Sequence, residues 1–450
     1  MSALIRRILT LAWPVLVAQL ASIGMMIADT LIVGHYSIDH LAAVAVGGSI
    51  YVTLMLGMTG VVLALGPIIG QHYGAGRNEA IGPDIREGFW LALILSLVGM
   101  SLLVFPRFLL TPAHLPPELE AIAAAYLRLL ALSLPAILAY RVFHAAANAL
   151  GYPRPLMYIA IAETSTHALL AWILVGGHLG LPALGANGAA LSQMLVNWIS
   201  LVIACGFLAR HPRFAPFQVF ARRHCPWPHW SSQRELLRLG LPMGLSYLVE
   251  VSAFTFMALF IARLGAEVVS GYRIAANLSA LTYMLPLSLA TATAALVAQA
   301  VGARDEALAR ATIRAGQITG IISALLIALA LYSLRDAIAA LSTPDIGVAA
   351  IAAGMMLYIA AYQFFDAIQT IAAFVLRAYK ISFIPLCIHL CCFWGLGLGL
   401  GYWLAFLAPT PQGAAGFWQA TVIATIAASL LLGSLLFFRG RGTEDRGRKS

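Results

Sequence analysis

The sequence predicts an all-α membrane protein of about twelve transmembrane helices, arranged as two six-helix bundles related by a pseudo-two-fold axis along the membrane normal. Three observations carry that prediction: the composition, the spacing of the apolar runs, and an internal repeat. Of 450 residues, 61% are hydrophobic and only 10% charged, with a mean hydropathy of +0.89. A water-facing surface cannot be covered from that composition. The apolar runs recur at lengths of about 20 residues, which is what a helix needs to cross roughly 30 Å of hydrocarbon. Lipid offers no partner to a backbone N–H or C=O, so the runs must be helical.

Taken in order, the first half places spans near residues 10–33, 45–72, 88–110, 119–150, 155–178 and 187–209. The second half places six more near 239–263, 268–300, 311–333, 346–376, 382–407 and 414–438. Residues 1–24 have the outline of a signal peptide, with Arg6 and Arg7 ahead of an apolar stretch. The run continues past Asp29 without a small-residue cleavage site, so it reads as the first span.

The two halves repeat each other at an offset of 228 residues. Pro14 meets Pro242, Leu31 meets Leu259, Gln71 meets Gln299 and Gly74 meets Gly302 without a gap. Six crossings return the chain to its starting face, so the copies are parallel, and a central cleft between the bundles is the expected place for a substrate. The expected division is an N-terminal bundle over 1–209, a cytoplasmic linker over 210–238, a C-terminal bundle over 239–438 and a cytoplasmic tail over 439–450.

The net charge of +9 does not point to nucleic acid, because its placement is that of a topology signal. Arg6, Arg7, Arg77, Arg86, Arg154, the linker arginines (Arg210, Arg213, Arg222, Arg223, Arg234, Arg238), Arg304, Arg310, Arg314, Arg377, Lys380 and the tail all fall on one side. The positive-inside bias makes that side, with both termini, cytoplasmic. Cys205, Cys225, Cys387, Cys391 and Cys392 show no paired CxxC spacing and read as packing residues.

Four acids lie inside spans, where an ionised group costs several kcal/mol unless a partner or water compensates. Glu250 lies about 12 residues beyond Arg238 and Asp366 about 11 residues before Arg377, which puts both carboxylates roughly 17 Å above the cytoplasmic boundary. Two carboxylates at one depth repel each other, and a proton or a small cation relieves the repulsion. Tyr362 precedes Asp366 by one helical turn and shares its face. Asp29 belongs to the outer half of the first bundle. Glu163 and His167, four residues apart, form either a proton relay or a plain structural pair. The sequence has no HExxH, so no metal is expected beyond a sodium ion at Glu250 and Asp366. It also has no GxxxxGK[ST], GxGxxG or GxSxG, so the energy for any transport must come from a gradient, with no cofactor besides the coupling ion. Met25, Met26, Tyr51, Phe254, Phe256, Met257, Tyr283, Phe364 and Phe365 either line an adaptable pocket or simply pack.

In order and spacing, five segments resemble the multidrug and toxic compound extrusion (MATE) family, in its bacterial NorM-like branch. They are PVLVAQLASIGMMIADTLIVG in span 1, GPIIGQHYGAGR after span 2, EVSAFTFMALFIARLG in span 7, MLPLSLATATAALVAQAVGA in span 8 and YQFFDAIQTIAAFVLRAYK in span 10. The resemblance covers essentially the whole chain. It implies a multi-pass protein of the bacterial inner membrane that exports amphipathic, mostly cationic, small molecules by alternating access, driven by sodium or proton entry. It implies a cation site at Glu250, Asp366 and Tyr362, and a proton- or drug-coupling role for Asp29. Where many relatives carry two asparagines on span 5, this chain has His167 and Ala171, and Glu163 with His167 is the expected replacement, which favours protons. The expected partners are such small molecules and membrane lipids, without nucleic acid, and the expected state is a monomer. Two rivals remain: a flippase for a lipid-linked precursor, which requires a basic cleft, and an intramembrane enzyme using His144, Glu163 or His167.

Overall fold

The computed structural model describes residues 1–111, 114–220 and 227–447. Arg222, Arg223 and Cys225 of the expected linker, and Lys449 of the tail, lie outside the described residues. The first six spans are α1 (Ser2–Tyr36), α2 (Ile38–Val62) continuing into α3 (Leu65–Gly74), α4 (Asn78–Val104), α6 (Pro117–Ala131) with α7 (Leu134–Ala149), α8 (Arg154–Gly176) and α9 (Ala186–Arg210). A single turn, α5 (Arg107–Leu110), precedes α6. The second six are α10 (Trp230–Ile261), α11 (Ala266–Gly302), α12 (Glu306–Ser342), α13 (Ile346–Ala378), α14 (Phe383–His389) with the π-helical turns that follow it, and α15 (Ala414–Gly447). Among the described residues, eleven helices are long and apolar enough to cross a membrane, and twelve if the bent α6–α7 pair is one span.

The breaks follow the prolines. Pro135, at the start of α7, has no N–H for the carbonyl of Ala131, and the span bends there by 47°. Pro67 does the same for the carbonyl of Leu63, where α2 gives way to α3. Asp305 and Asp345 accept from the N–H groups of Leu308 (2.8 Å) and Val348 (3.1 Å), which caps α12 and α13. Gly177, at φ +71°, closes α8 in the left-handed conformation.

The chain divides into two compact units, residues 17–244 and residues 1–16 with 245–450. The division points stand two residues after Pro14 in α1 and Pro242 in α10, and they are equivalent at the 228-residue repeat. The 210–238 segment belongs to the first of these units.

In the unit of residues 17–244, the core gathers Tyr51, Ile69, Leu91, Leu127 and Phe143 from α2, α3, α4, α6 and α7. The start of α10 packs closely on α2, since a Cβ on Gly240 or Gly244 would strike the backbone carbonyl of Val61 or Gly57. Such small-residue contacts let helix backbones approach where no hydrophobic effect drives association. Glu87 of α4, 6% exposed, ties down the same segment. Its carboxylate accepts from the backbone N–H and Nδ1 of His229 (2.9 Å each) and from Nε2 of Gln233 (2.6 Å).

In the other unit, α13 lies against α11, α12 and α15, and Tyr272, Phe417 and Trp418 fill the core beside Met257 and Ile261. The start of α1 also packs here, Ile8 and Ala12 against Leu289 and Leu296 of α11. After His389 the chain leaves α register for a π-helix over Leu390–Leu400. That register is rare and recurs at functional sites. Cys205, Cys387, Cys391 and Cys392 are free thiols.

Candidate functional site

Two polar clusters are buried in the spans, one in each unit. In the unit of residues 17–244, α1 supplies Asp29, α8 supplies Glu163 and His167, and α9 supplies Ser192. His167 is wholly buried, and its Nε2 lies 2.8 Å from Oδ1 of Asp29. Its Nδ1 lies 3.0 Å from Oγ of Ser192, whose hydroxyl also reaches the His167 carbonyl at 3.0 Å. With the Ser192 O–H donated to that carbonyl, Oγ accepts from Nδ1–H. The Asp29–His167 contact then holds a proton whichever partner owns it.

Both ring nitrogens of His167 are thus occupied, so Glu163 is not its hydrogen-bond partner, and the arrangement is Asp29–His167–Ser192 rather than a Glu163–His167 relay. Glu163 shares its surroundings with the guanidinium of Arg141, a residue in the middle of α7, and with the His167 ring. Thr164 Oγ1 donates to the carbonyl of Ala21 at 2.8 Å, a second tie between α8 and α1. His144 pairs with Asn148 at 3.2 Å, one turn along the same helix.

In the unit of residues 1–16 and 245–450, α13 brings Tyr362, Asp366 and Gln369 onto one buried stripe, and α10 supplies Glu250. Asp366 has no exposed surface. Its Oδ1 accepts from Nε2 of Gln369 at 2.9 Å, and its Oδ2 has no hydrogen-bond partner. Glu250 and Asp366 are near enough for each charge to act on its surroundings in common. Tyr283 of α11 and Tyr362 lie within reach of both carboxylates. The Tyr362 ring is held edge-on between Phe254 (6.1 Å) and Trp418 (6.2 Å). The structure therefore brings together the three residues expected at the cation site.

Arg377, counted among the boundary cations from its place at the end of span 10, is 5% exposed. It donates to the Tyr247 hydroxyl at 3.2 Å and lies over the rings of Tyr247 and Phe374. Its charge acts on Glu250. With both acids ionised, the pocket holds two negative groups and one positive, so a single monovalent cation makes it neutral.

Comparison with known proteins decides the family. A family profile described as MatE matches twice, over residues 14–173 and 242–403. The chain belongs to the MatE family. The two matched segments begin 228 residues apart, so the MatE unit is the repeat read in the sequence. A relative from Aromatoleum aromaticum, named "Probable multidrug resistance protein NorM", is 49% identical over 94% of this chain and 92% of its own. A second protein of that name, from Chromobacterium violaceum, is 36% identical over 95% of this chain and 92% of its own. A solved structure of a Vibrio cholerae MATE transporter, VcmN, has the same fold at a TM-score of 0.87 and 19% identity, covering 98% of each chain. This chain is accordingly a NorM-like MATE membrane transporter.

Four residues of this MATE chain escaped the sequence reading. Ser192 and Gln369 are polar residues in apolar helices, with no motif to distinguish them. Arg141 is visible as a lone mid-span base. His389 sits in an apolar, cysteine-containing run and is discussed below.

Proposed function

We propose that this MATE protein is a multidrug efflux antiporter that exchanges sodium ions or protons for amphipathic, mostly cationic, small molecules by alternating access. The observation that carries the reading is Asp366, a fully buried carboxylate with an unpartnered oxygen beside a second carboxylate, Glu250. An ionised acid is not held in such a place without a use for its charge. In this reading the coupling ion binds at Glu250, Asp366 and Tyr362, and a cationic drug competes for the same negative charge. A ligand shifts the balance of two states only through its differential affinity for them. Ion entry neutralises the acids, so a drug held by them is released outward. One charge moving through 100 mV supplies about 2.3 kcal/mol for that cycle.

Asp29, His167 and, beside them, Glu163 form the second coupling centre. The proton held in the Asp29–His167 hydrogen bond supports proton coupling there. The multidrug resistance names of the relatives support the substrate class. The arginine-rich ends of the spans support a bacterial inner-membrane protein with both termini in the cytoplasm, and one chain carries both centres, so a monomer suffices.

The test is ethidium efflux from proteoliposomes under an imposed sodium gradient and, separately, a pH gradient. Wild-type protein is expected to export under at least one gradient, and Asp366→Asn and Glu250→Gln to abolish the gradient dependence. Undiminished efflux from both variants would remove these acids from coupling, and no efflux under either gradient would favour transport of a lipid-linked substrate instead.

A further inference from the structure

A buried histidine on the span beside α13 completes the surroundings of Asp366. His389, the last residue of α14 before the π-helical turns, is 3% exposed. Its Nε2 lies 3.1 Å from Oε1 of Gln369, whose Nε2 donates to Oδ1 of Asp366 at 2.9 Å. Three side chains from two spans therefore form one chain of hydrogen bonds, and each end of it carries an atom without a partner, Nδ1 of His389 and Oδ2 of Asp366.

The direction of the chain follows from what each atom can do. If the Gln369 amide were turned over, its oxygen would face the carboxylate and its nitrogen would face the imidazole. With Oε1 toward His389, Nε2 of the ring must carry the hydrogen. That tautomer leaves a lone pair unsatisfied at the buried Nδ1, whereas the other would bury an N–H with no acceptor, and an orphaned donor is the rarer case. His389 thus fixes the amide, and the amide fixes one oxygen of the acid. The ionised carboxylate, which only accepts, draws the amide nitrogen, and the His389 N–H on Oε1 holds the amide in that orientation.

We propose that His389 is a positioning residue of the cation site: through the Gln369 amide it reserves Oδ1 of Asp366 and leaves Oδ2 as the oxygen that takes the coupling ion. The ligand is a small monovalent cation, sodium or a proton. The Tyr362 hydroxyl lies beside the same carboxyl. Glu250 and Arg377 are the charges that act on this pocket, and Arg377 acts on His389 as well. The proposal rests on the cation-site reading given above.

Its test uses the full-length protein in proteoliposomes, with ethidium efflux measured against sodium concentration in one arm and against proton concentration in the other. His389→Leu and Gln369→Leu are expected to lower the coupling-ion concentration for half-maximal efflux by about tenfold, because the hydrogen bond they remove or loosen stabilises the ion-free carboxylate. His389→Gln places an N–H at about the same reach and is expected to restore the ion requirement to within about threefold. The arm in which the shift appears names the ion. A wild-type ion requirement in both leucine variants, or a His389→Gln protein shifted as far as His389→Leu, overturns the proposal. Asp366→Asn separates the two layers. If it abolishes coupling while the leucine variants do nothing, the relay alone fails; if it leaves coupling intact, the cation site fails and the relay with it.

Discussion

At the residue scale, the two buried centres differ in how their acids are compensated. Asp29 has an imidazole at hydrogen-bond distance, 2.8 Å, and Asp366 has a neutral amide, with one oxygen bare. The first acid is thus paired with a titratable ring, and the second keeps an oxygen without a partner. Removing His167 strands Asp29, so His167→Leu is expected to cut proton-driven efflux at least as far as Asp29→Asn does, and the double variant to cost no more than either alone. Initial rates of ethidium efflux under a pH gradient measure this, and additive losses would show that the two residues act separately. Ser192→Ala removes only the outer hydrogen bond, a change of about 0.5–1.5 kcal/mol, so it should weaken the rate severalfold and no further. The nearness of Glu250 and Asp366 was legible because helical rise converts a residue count from the nearest arginine into a height, and equal heights in packed helices bring side chains together. The Asp29–His167 bond was not legible, since hydropathy gives the length of a span but not which face it turns to its neighbour. Arg377 shows what a boundary rule leaves out: the rule places the residue along the span, and packing buries its side chain against Tyr247.

At the scale of the elements, prolines and glycines set the shape of the spans. Pro67 and Pro135 mark breaks, and both were in plain view, but a proline in a span does not say whether the helix bends, as α6–α7 does, or continues, as α11 does through Pro286. The π register after His389 left no sign in a uniformly apolar run. Gly240 and Gly244 allow the start of α10 to lie on the carbonyls of Val61 and Gly57. Gly244→Val is therefore expected to lower the stability of the protein by about 1–3 kcal/mol through overpacking. Gly66, whose Cβ would meet nothing within 4 Å, is the control: Gly66→Ala should be neutral or slightly stabilising. Melting in detergent separates the two, and equal melting temperatures would contradict the close approach. The Glu87 carboxylate holds three donors of His229 and Gln233, so Glu87→Ala should also lower the melting temperature, by more than an exposed acid such as Glu79 does.

At the scale of the whole molecule, the repeat is the feature from which most else follows. The apolar runs gave the spans, and matched residues such as Pro14 with Pro242 gave the two-fold repeat that the twice-matched MatE unit shows. What the repeat could not give is where one compact unit ends and the other begins, because that depends on packing. The first 16 residues of α1 group with residues 245–450, and the segment through Gly244 groups with the first unit, although a linear reading assigns each helix to its own half. The two halves have also diverged in their chemistry: at the shared offset Asp29 meets Met257, and Glu250 meets Ser22. One duplicated scaffold thus carries two unlike centres, and the claim that they serve an exchange of ion for drug has a direct test. In proteoliposomes with no ion gradient imposed, an outward ethidium gradient should drive sodium or protons inward in the same experiment, and Asp366→Asn should stop the ion movement. Ethidium crossing the membrane through the protein with no opposing ion flux in wild type would contradict the account.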